Sequence, residues 1–177
     1  MRERSVLQRV FISIGSNIEP ESNIVKGLGL LSSYVTINAV STVFRTDPIG
    51  PGGGPPFLNG VFAITTQTGP RALKYRVLRS IEDRLGRIRT DDRYAPRVID
   101  LDILLYENEM IDEPGLKIPD PDLADRPFLI EALLEIEPGL VLPGTQAPLA
   151  MLLPESEARS YTPEHEFTTQ LRQRLAQ

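Results

Sequence analysis

The sequence predicts an α+β domain with a ferredoxin-like β-α-β-β-α-β core, an antiparallel-rich sheet with helices on one face, followed by a C-terminal extension. Three observations predict it. Four short runs are rich in β-branched and aromatic residues with strand-like patterning. Two stretches with helical spacing separate them in the order of the split βαβ motif. No internal repeat or linker-like change of composition divides the 177 residues, so one domain, 1–177, is expected around one core.

The first strand is Arg9–Ile14 (RVFISI), closed by the turn formers Gly15, Ser16 and Asn17. Pro20 opens the first helix, and Ile24, Leu28 and Leu31 carry it to about Ser33, with Gly27 and Gly29 weakening it. Tyr34–Phe44 alternates and predicts a second strand; Leu58–Thr68 predicts a third. Between them, Thr46–Pro56 is rich in Gly and Pro and longer than a hairpin needs, as lids and binding loops often are. Pro70 begins the clearest helix, with Leu73, Val77, Leu78, Ile81 and Leu85 on one face and Gly86 at its end. Val98–Tyr106 is the fourth strand. Beyond it, Pro127–Ile136 predicts a short helix, and Thr162-Pro163 is placed to cap another running towards the C-terminus.

Composition narrows the chemistry. Apolar residues make up 41% and charged residues 24%, as in ordinary globular chains. There is no apolar run of membrane length, so no membrane partner is expected and the location expected is cytoplasmic. The net charge of −5 argues against a nucleic-acid partner. Cysteine is absent, and the single histidine, His165, lies in what reads as a mobile tail. A divalent metal would then be held by oxygen ligands, which favours Mg²⁺, Mn²⁺ or Ca²⁺.

Asp100 and Asp102 stand two residues apart in the fourth strand. Side chains alternate, so both carboxylates face one side, about 6.7 Å apart along the chain, while Ile99, Leu101 and Ile103 face the other. Like charges this close repel, and a bound cation offsets the repulsion; a solvated polar face on an edge strand is the alternative. Arg84, Arg87, Arg89, Arg93 and Arg97 lead into this strand, and guanidinium forks match phosphate oxygens. Pairing with Asp91 and Asp92 in a surface network is the alternative there. No G-x-x-x-x-G-K-[ST] loop is present, so a P-loop site is excluded.

Taken together, Ile14-Gly15-Ser16-Asn17, Phe44-Arg45-Thr46 with Phe57-Leu58-Asn59, and Gly86-Arg87-Ile88-Arg89 through Arg93-Tyr94-Ala95-Pro96-Arg97-Val98-Ile99-Asp100-Leu101-Asp102 resemble the 6-hydroxymethyl-7,8-dihydropterin pyrophosphokinase family from about Val10 to about Leu153. The resemblance implies an ATP-dependent transfer of pyrophosphate to the pterin's hydroxymethyl group in folate biosynthesis. It implies that Asp100 and Asp102 bind two Mg²⁺ ions and that Arg87, Arg93 and Arg97 hold the phosphates. Glu82, Arg89 and Arg126 fall at the ATP site. The pterin is expected between Phe57 and Phe128, with Asn59 hydrogen-bonding its ring and Thr46 and Pro48 completing recognition. Residues 49–56 are expected to close over the substrates. Small molecules alone are the expected partners of a monomer.

The chain departs from the family pattern at Ile118-Pro119-Asp120-Pro121-Asp122, where a histidine and a basic residue are usual. Two carboxylates there predict a raised KM for ATP. Lys117 is expected to reach the phosphates or to neutralise Asp120. Tyr94 stands where tryptophan is common. Two other readings remain open on the sequence: a non-catalytic pterin- or nucleotide-binding relative, and a palm-type two-metal nucleotidyltransferase.

Overall fold

The computed structural model describes residues 6–50, 53–92, 94–153 and 160–176. β1 (Gln8–Ser16) leads through α1 (Pro20–Leu31) to β2 (Thr36–Val40), β3 (Phe44–Thr46) and β4 (Phe57–Thr66). A continuous helical rod follows: α2 (Pro70–Ala72), a π-helical stretch (Leu73–Leu78) and α3 (Arg79–Arg84). β5 (Asp100–Tyr106), the hairpin of β6 (Ile111–Glu113) and β7 (Leu116–Ile118), α4 (Pro127–Ile136), β8 (Tyr161–Pro163) and α5 (His165–Leu175) complete the described chain.

The main sheet runs β5-β1-β4-β3-β8, with β2 also paired to β4, and every pairing is antiparallel. Counting β2 and β3 together gives the ferredoxin order, as expected from the element sequence. Tyr34–Phe44 is not one strand, however. At the break, the Ser41 hydroxyl accepts the Val61 N–H at 2.9 Å, replacing a ladder bond, and β2 and β3 pair with opposite halves of β4.

Alternation along the strands gives the sheet two apolar faces. On one, Val10, Ile12, Ile14, Ile64, Leu101 and Ile103 pack under α1, the helical rod and α5. On the other, Phe11, Val61, Ala63 and Leu105 pack against α4. Both crossover helices thus share a face with α5, and α4 covers the opposite one. Gly27 does not merely weaken α1: a Cβ there would lie 2.4 Å from Ile99 Cδ1, so glycine is what lets the helix approach the chain entering β5.

The C-terminal segment is not a mobile tail, and Thr162-Pro163 is not a helix cap. Tyr161–Pro163 pairs with β3, and α5 begins at His165 with Phe167 and Leu171 in the core. Thr168 Oγ1 accepts the Val43 N–H at 2.9 Å and Glu164 N donates to Val43 O at 2.8 Å, which fastens α5 to the break between β2 and β3.

Candidate active site

The site lies on the α4 side of the sheet, across one rung. Asp100 pairs with Gly15, Gly15 with Asn59, and Asn59 with Phe44, so four strands bring these positions to one level. Gly15 is the low point of that rung. A Cβ there would come within 2.6 Å of Asn59 Oδ1, so any larger residue would push the amide out of place. Asn59 Nδ2 donates to Thr46 Oγ1 at 2.8 Å, fixing the amide against β3.

Beside this rung is an open cleft of about 260 Å³. Thr46, Phe57, Asn59 and Phe128 line it, with Arg97 and Tyr161. Phe128, in the first turn of α4, is 8% exposed and packs edge-on against Tyr161, ring centroids 5.9 Å apart. It therefore serves both the core and the cleft wall. Pro48 is half-buried in the same loop but outside the lining. A smaller recess of about 30 Å³ adjoins the cleft through Gly15, Asn59, Arg126 and Phe128, and it is faced by Asp100, Asp102, Asp120 and Asp122.

The two strand aspartates share a face and carry opposite electrostatic loads. Asp100 accepts from Arg87 Nη1 and Arg97 Nη1. Burial pushes its carboxyl up, but the two guanidinium groups outweigh burial and hold it below the ordinary range. Asp102 is pushed up, first by burial and then by the charge of Asp100, with Lys74 opposing at 3.1 Å. Asp120 is raised to about 6, mainly by burial, although its side chain accepts the Asp122 N–H at 2.8 Å.

Behind the aspartates Glu82 organises the arginines. It is 3% exposed, accepts the Leu101 N–H at 2.8 Å, and pairs with Arg87 and Arg89. Arg89 also reaches Asp83 at 2.7 Å on the exposed side. Burial raises the Glu82 carboxyl against the pull of these donors.

Of the residues expected at the site, Arg87, Arg97, Asp100, Asp102 and Glu82 meet at one end, and Thr46, Phe57, Asn59 and Phe128 at the other. Arg126 joins them, lining both cavities and pairing with Asp122 at 2.9 Å. Arg93 lies outside the described residues. Lys117 is not brought to either cavity: it stands opposite Asp112 in the β6–β7 hairpin, with Nζ 3.2 Å from the Asp112 carboxylate. Three further residues at the site carry no role expected from the sequence. Ser16 and Asn17 hold the approach to β5, through Ser16 Oγ to Val98 O at 2.6 Å and Asn17 Oδ1 accepting the Arg97 N–H at 2.7 Å. Asn17 Nδ2 also reaches Pro55 O at 3.2 Å, tying in the Gly-Pro loop. Lys74 is the third.

Comparison with known proteins shows what the chain is similar to. Residues 11–138 match the family described as 7,8-dihydro-6-hydroxymethylpterin-pyrophosphokinase. A protein of Pseudomonas aeruginosa named 2-amino-4-hydroxy-6-hydroxymethyldihydropteridine pyrophosphokinase is 38% identical over 141 residues, 78% of this chain and 86% of that protein. One of the same name from Aquifex aeolicus is 34% identical over 153 residues, 86% and 94% of the two chains. Among solved structures, Plasmodium falciparum HPPK-DHPS with pterin and p-hydroxybenzoate superposes with a TM-score of 0.67 at 13% identity. That match covers 86% of this chain and 42% of the other, and it speaks for the fold alone. The matched span contains both halves of the cleft, from the strand that carries Gly15 to the helix that carries Phe128, and on that ground the chain belongs to the 7,8-dihydro-6-hydroxymethylpterin-pyrophosphokinase family.

Proposed function

We infer that this chain transfers pyrophosphate from ATP to the hydroxymethyl group of 6-hydroxymethyl-7,8-dihydropterin, releasing AMP, in folate biosynthesis. The observation that carries the reading is the rung that sets Asp100 and Asn59 on either side of Gly15. It puts a carboxylate and arginine end beside an aromatic and amide end, which is what a phosphate donor and a flat, polar-edged acceptor require. In this reading the pterin lies between Phe57 and Phe128 with Asn59, Thr46 and Pro48 at its edge. Arg87, Arg93 and Arg97 hold phosphates, with Glu82, Arg89 and Arg126 supporting the ATP side.

The hydroxymethyl oxygen attacks the β-phosphorus, the bond from that phosphorus to the α,β-bridging oxygen breaks, and AMP leaves as the hydroxyl proton is lost. Such transfers depend mainly on alignment and charge neutralisation. Arg97 suits this, because it pairs with Asp100 and also lines the cleft, joining the two ends. Asn59, held by Thr46, orients the acceptor, and the aromatic walls keep water from its face.

Asp100 and Asp102 offer hard oxygen donors on one wall, and the upward push on Asp102 is the cost a cation would relieve. We propose that they hold Mg²⁺, two ions, which neutralises the polyphosphate charge when bound. We read residues 1–177 as one domain acting as a monomer, since one chain supplies residues to both ends of the cleft. We place it in the cytoplasm, where ATP is supplied. No helix among the described residues is long and apolar enough to cross a membrane.

The test is to incubate the protein with Mg·ATP and 6-hydroxymethyl-7,8-dihydropterin and to resolve the products. Pterin pyrophosphate and AMP in equal amounts support the reading. Absence of both would indicate a non-catalytic binder, and pyrophosphate release without pterin product a nucleotidyltransferase.

A further inference from the structure

Lys74 has no part in the reaction as described, yet it is the cation matched to Asp102. It occupies the second position of the π-helical stretch, its side chain is 19% exposed, and its Nζ lies 3.1 Å from Asp102 Oδ1. A π turn is rare and recurs at functional sites because it re-aims side chains relative to a regular helix. Here Leu73 and Leu78, five residues apart, are both fully buried, and Lys74 between them reaches β5.

We propose that Lys74 is a resident counter-cation of the metal site: without nucleotide its ammonium occupies the place beside Asp102, and a divalent ion must displace it to bind. The proposal rests on the reading of Asp102 as a metal ligand. A metal on that carboxylate would sit about 2.0–2.1 Å from an oxygen that Lys74 now touches, so the two cations would repel at close range in a partly buried site. Lysine suits an exchange of this kind. Its ammonium ends a flexible stem, whereas the planar forks of Arg87 and Arg97 fix Asp100. The displaced ammonium also has a destination, since Asp120 faces the same recess as Asp102 and feels the charge of Lys74. A bare ion therefore binds the empty protein weakly, and a metal arriving with a polyphosphate, which attracts Lys74, binds well.

The probe is Mn²⁺ alone, titrated into the full-length, nucleotide-free protein, with free ion read by electron paramagnetic resonance. Lys74→Met is expected to bind Mn²⁺ at least about tenfold more tightly than the native protein, and Lys74→Arg to stay within about twofold. Lys74→Gln, which keeps a hydrogen bond without the charge, should follow Lys74→Met and serves if the methionine variant fails to fold. Neutral variants that fold and bind Mn²⁺ as the native protein does would overturn the proposal. Asp102→Asn separates the two ideas. If it removes Mn²⁺ binding while the neutral Lys74 variants change nothing, the metal reading stands and the counter-cation falls. If it leaves binding intact, both fall.

Discussion

The carboxylate of Glu82, on α3, accepts the backbone N–H of Leu101, between the two aspartates of β5, at 2.8 Å. A side chain thus replaces a strand as the hydrogen-bond partner of β5 at the point where the site is built. The same carboxylate pairs with Arg87 and Arg89, so the register of β5 and the aim of two guanidinium groups depend on one buried acid.

Glu82→Ala should accordingly lower stability by about 2–4 kcal/mol, because it leaves a buried N–H and a partly buried arginine short of partners. Glu82→Gln should cost less, keeping an acceptor for Leu101. Urea unfolding measures both. A change below about 0.5 kcal/mol in the alanine variant would contradict the staple.

Asp100→Ala and Asp102→Ala should each abolish turnover, as loss of a metal-binding carboxylate from such a site does. Their stabilities should differ. Removing Asp100 takes a carboxylate partner from both Arg87 and Arg97, whereas removing Asp102 takes one from Lys74 alone and relieves repulsion on Asp100. Thermal midpoints should therefore fall further for Asp100→Ala, and the reverse order would refute the division of charge described for the pair.

Phe128→Ala should lose about 3 kcal/mol of stability together with pterin affinity, since the ring is both core and wall. Phe128→Leu isolates the second role. It keeps most of the volume and should weaken pterin binding by about 1–2 kcal/mol, roughly tenfold, with ATP binding unchanged in calorimetric titration. Equal losses for the two ligands would mean that the ring packs without stacking.

Asp120 supplies the pH test. Its folded value, about 6, lies above the ordinary 3.8, so the native state holds this proton after the unfolded chain has lost it. Stability from this group is full below about pH 4 and is lost as pH rises towards 6. In chelator-treated protein, Asp120→Asn should gain on the native chain across that window and keep a lead of about 1–2 kcal/mol above it, allowing for solvent screening. It should also lower the KM for ATP. A stability difference that does not change with pH would show that Asp120 titrates normally.

The parts legible in the sequence were those governed by a single period. Strand alternation put Asp100 and Asp102 on one face opposite Leu101 and Ile103, and the spacing of Leu73 to Ile81 found the helical rod. Lys117 was misread because distance along the chain stood in for distance in space: three residues from Asp120, it is turned across a hairpin to Asp112. Lys74 was hidden for a different reason. In a regular helix it shares a side with Leu78, and only the π turn sends it to β5. Asn17 showed in the sequence as a turn former, but its three bonds join segments some 40 and 80 residues away, which no local pattern reports. The break at Ser41 and the docking of α5 are likewise one event, visible only when Thr168 is seen to fill the gap.

Tyr161 stands beyond the matched span of 11–138, yet it backs Phe128 and its strand completes the outer edge of β3. Chains emerge from the ribosome N-terminus first. A nascent chain extruded only through α4 already carries both carboxylates, Asn59, Phe57 and Phe128, but its β3 edge is bare and Phe128 lacks the Tyr161 ring that backs it. The order of synthesis therefore leaves the backing of Phe128 to the last described strand to appear, which zips onto the third.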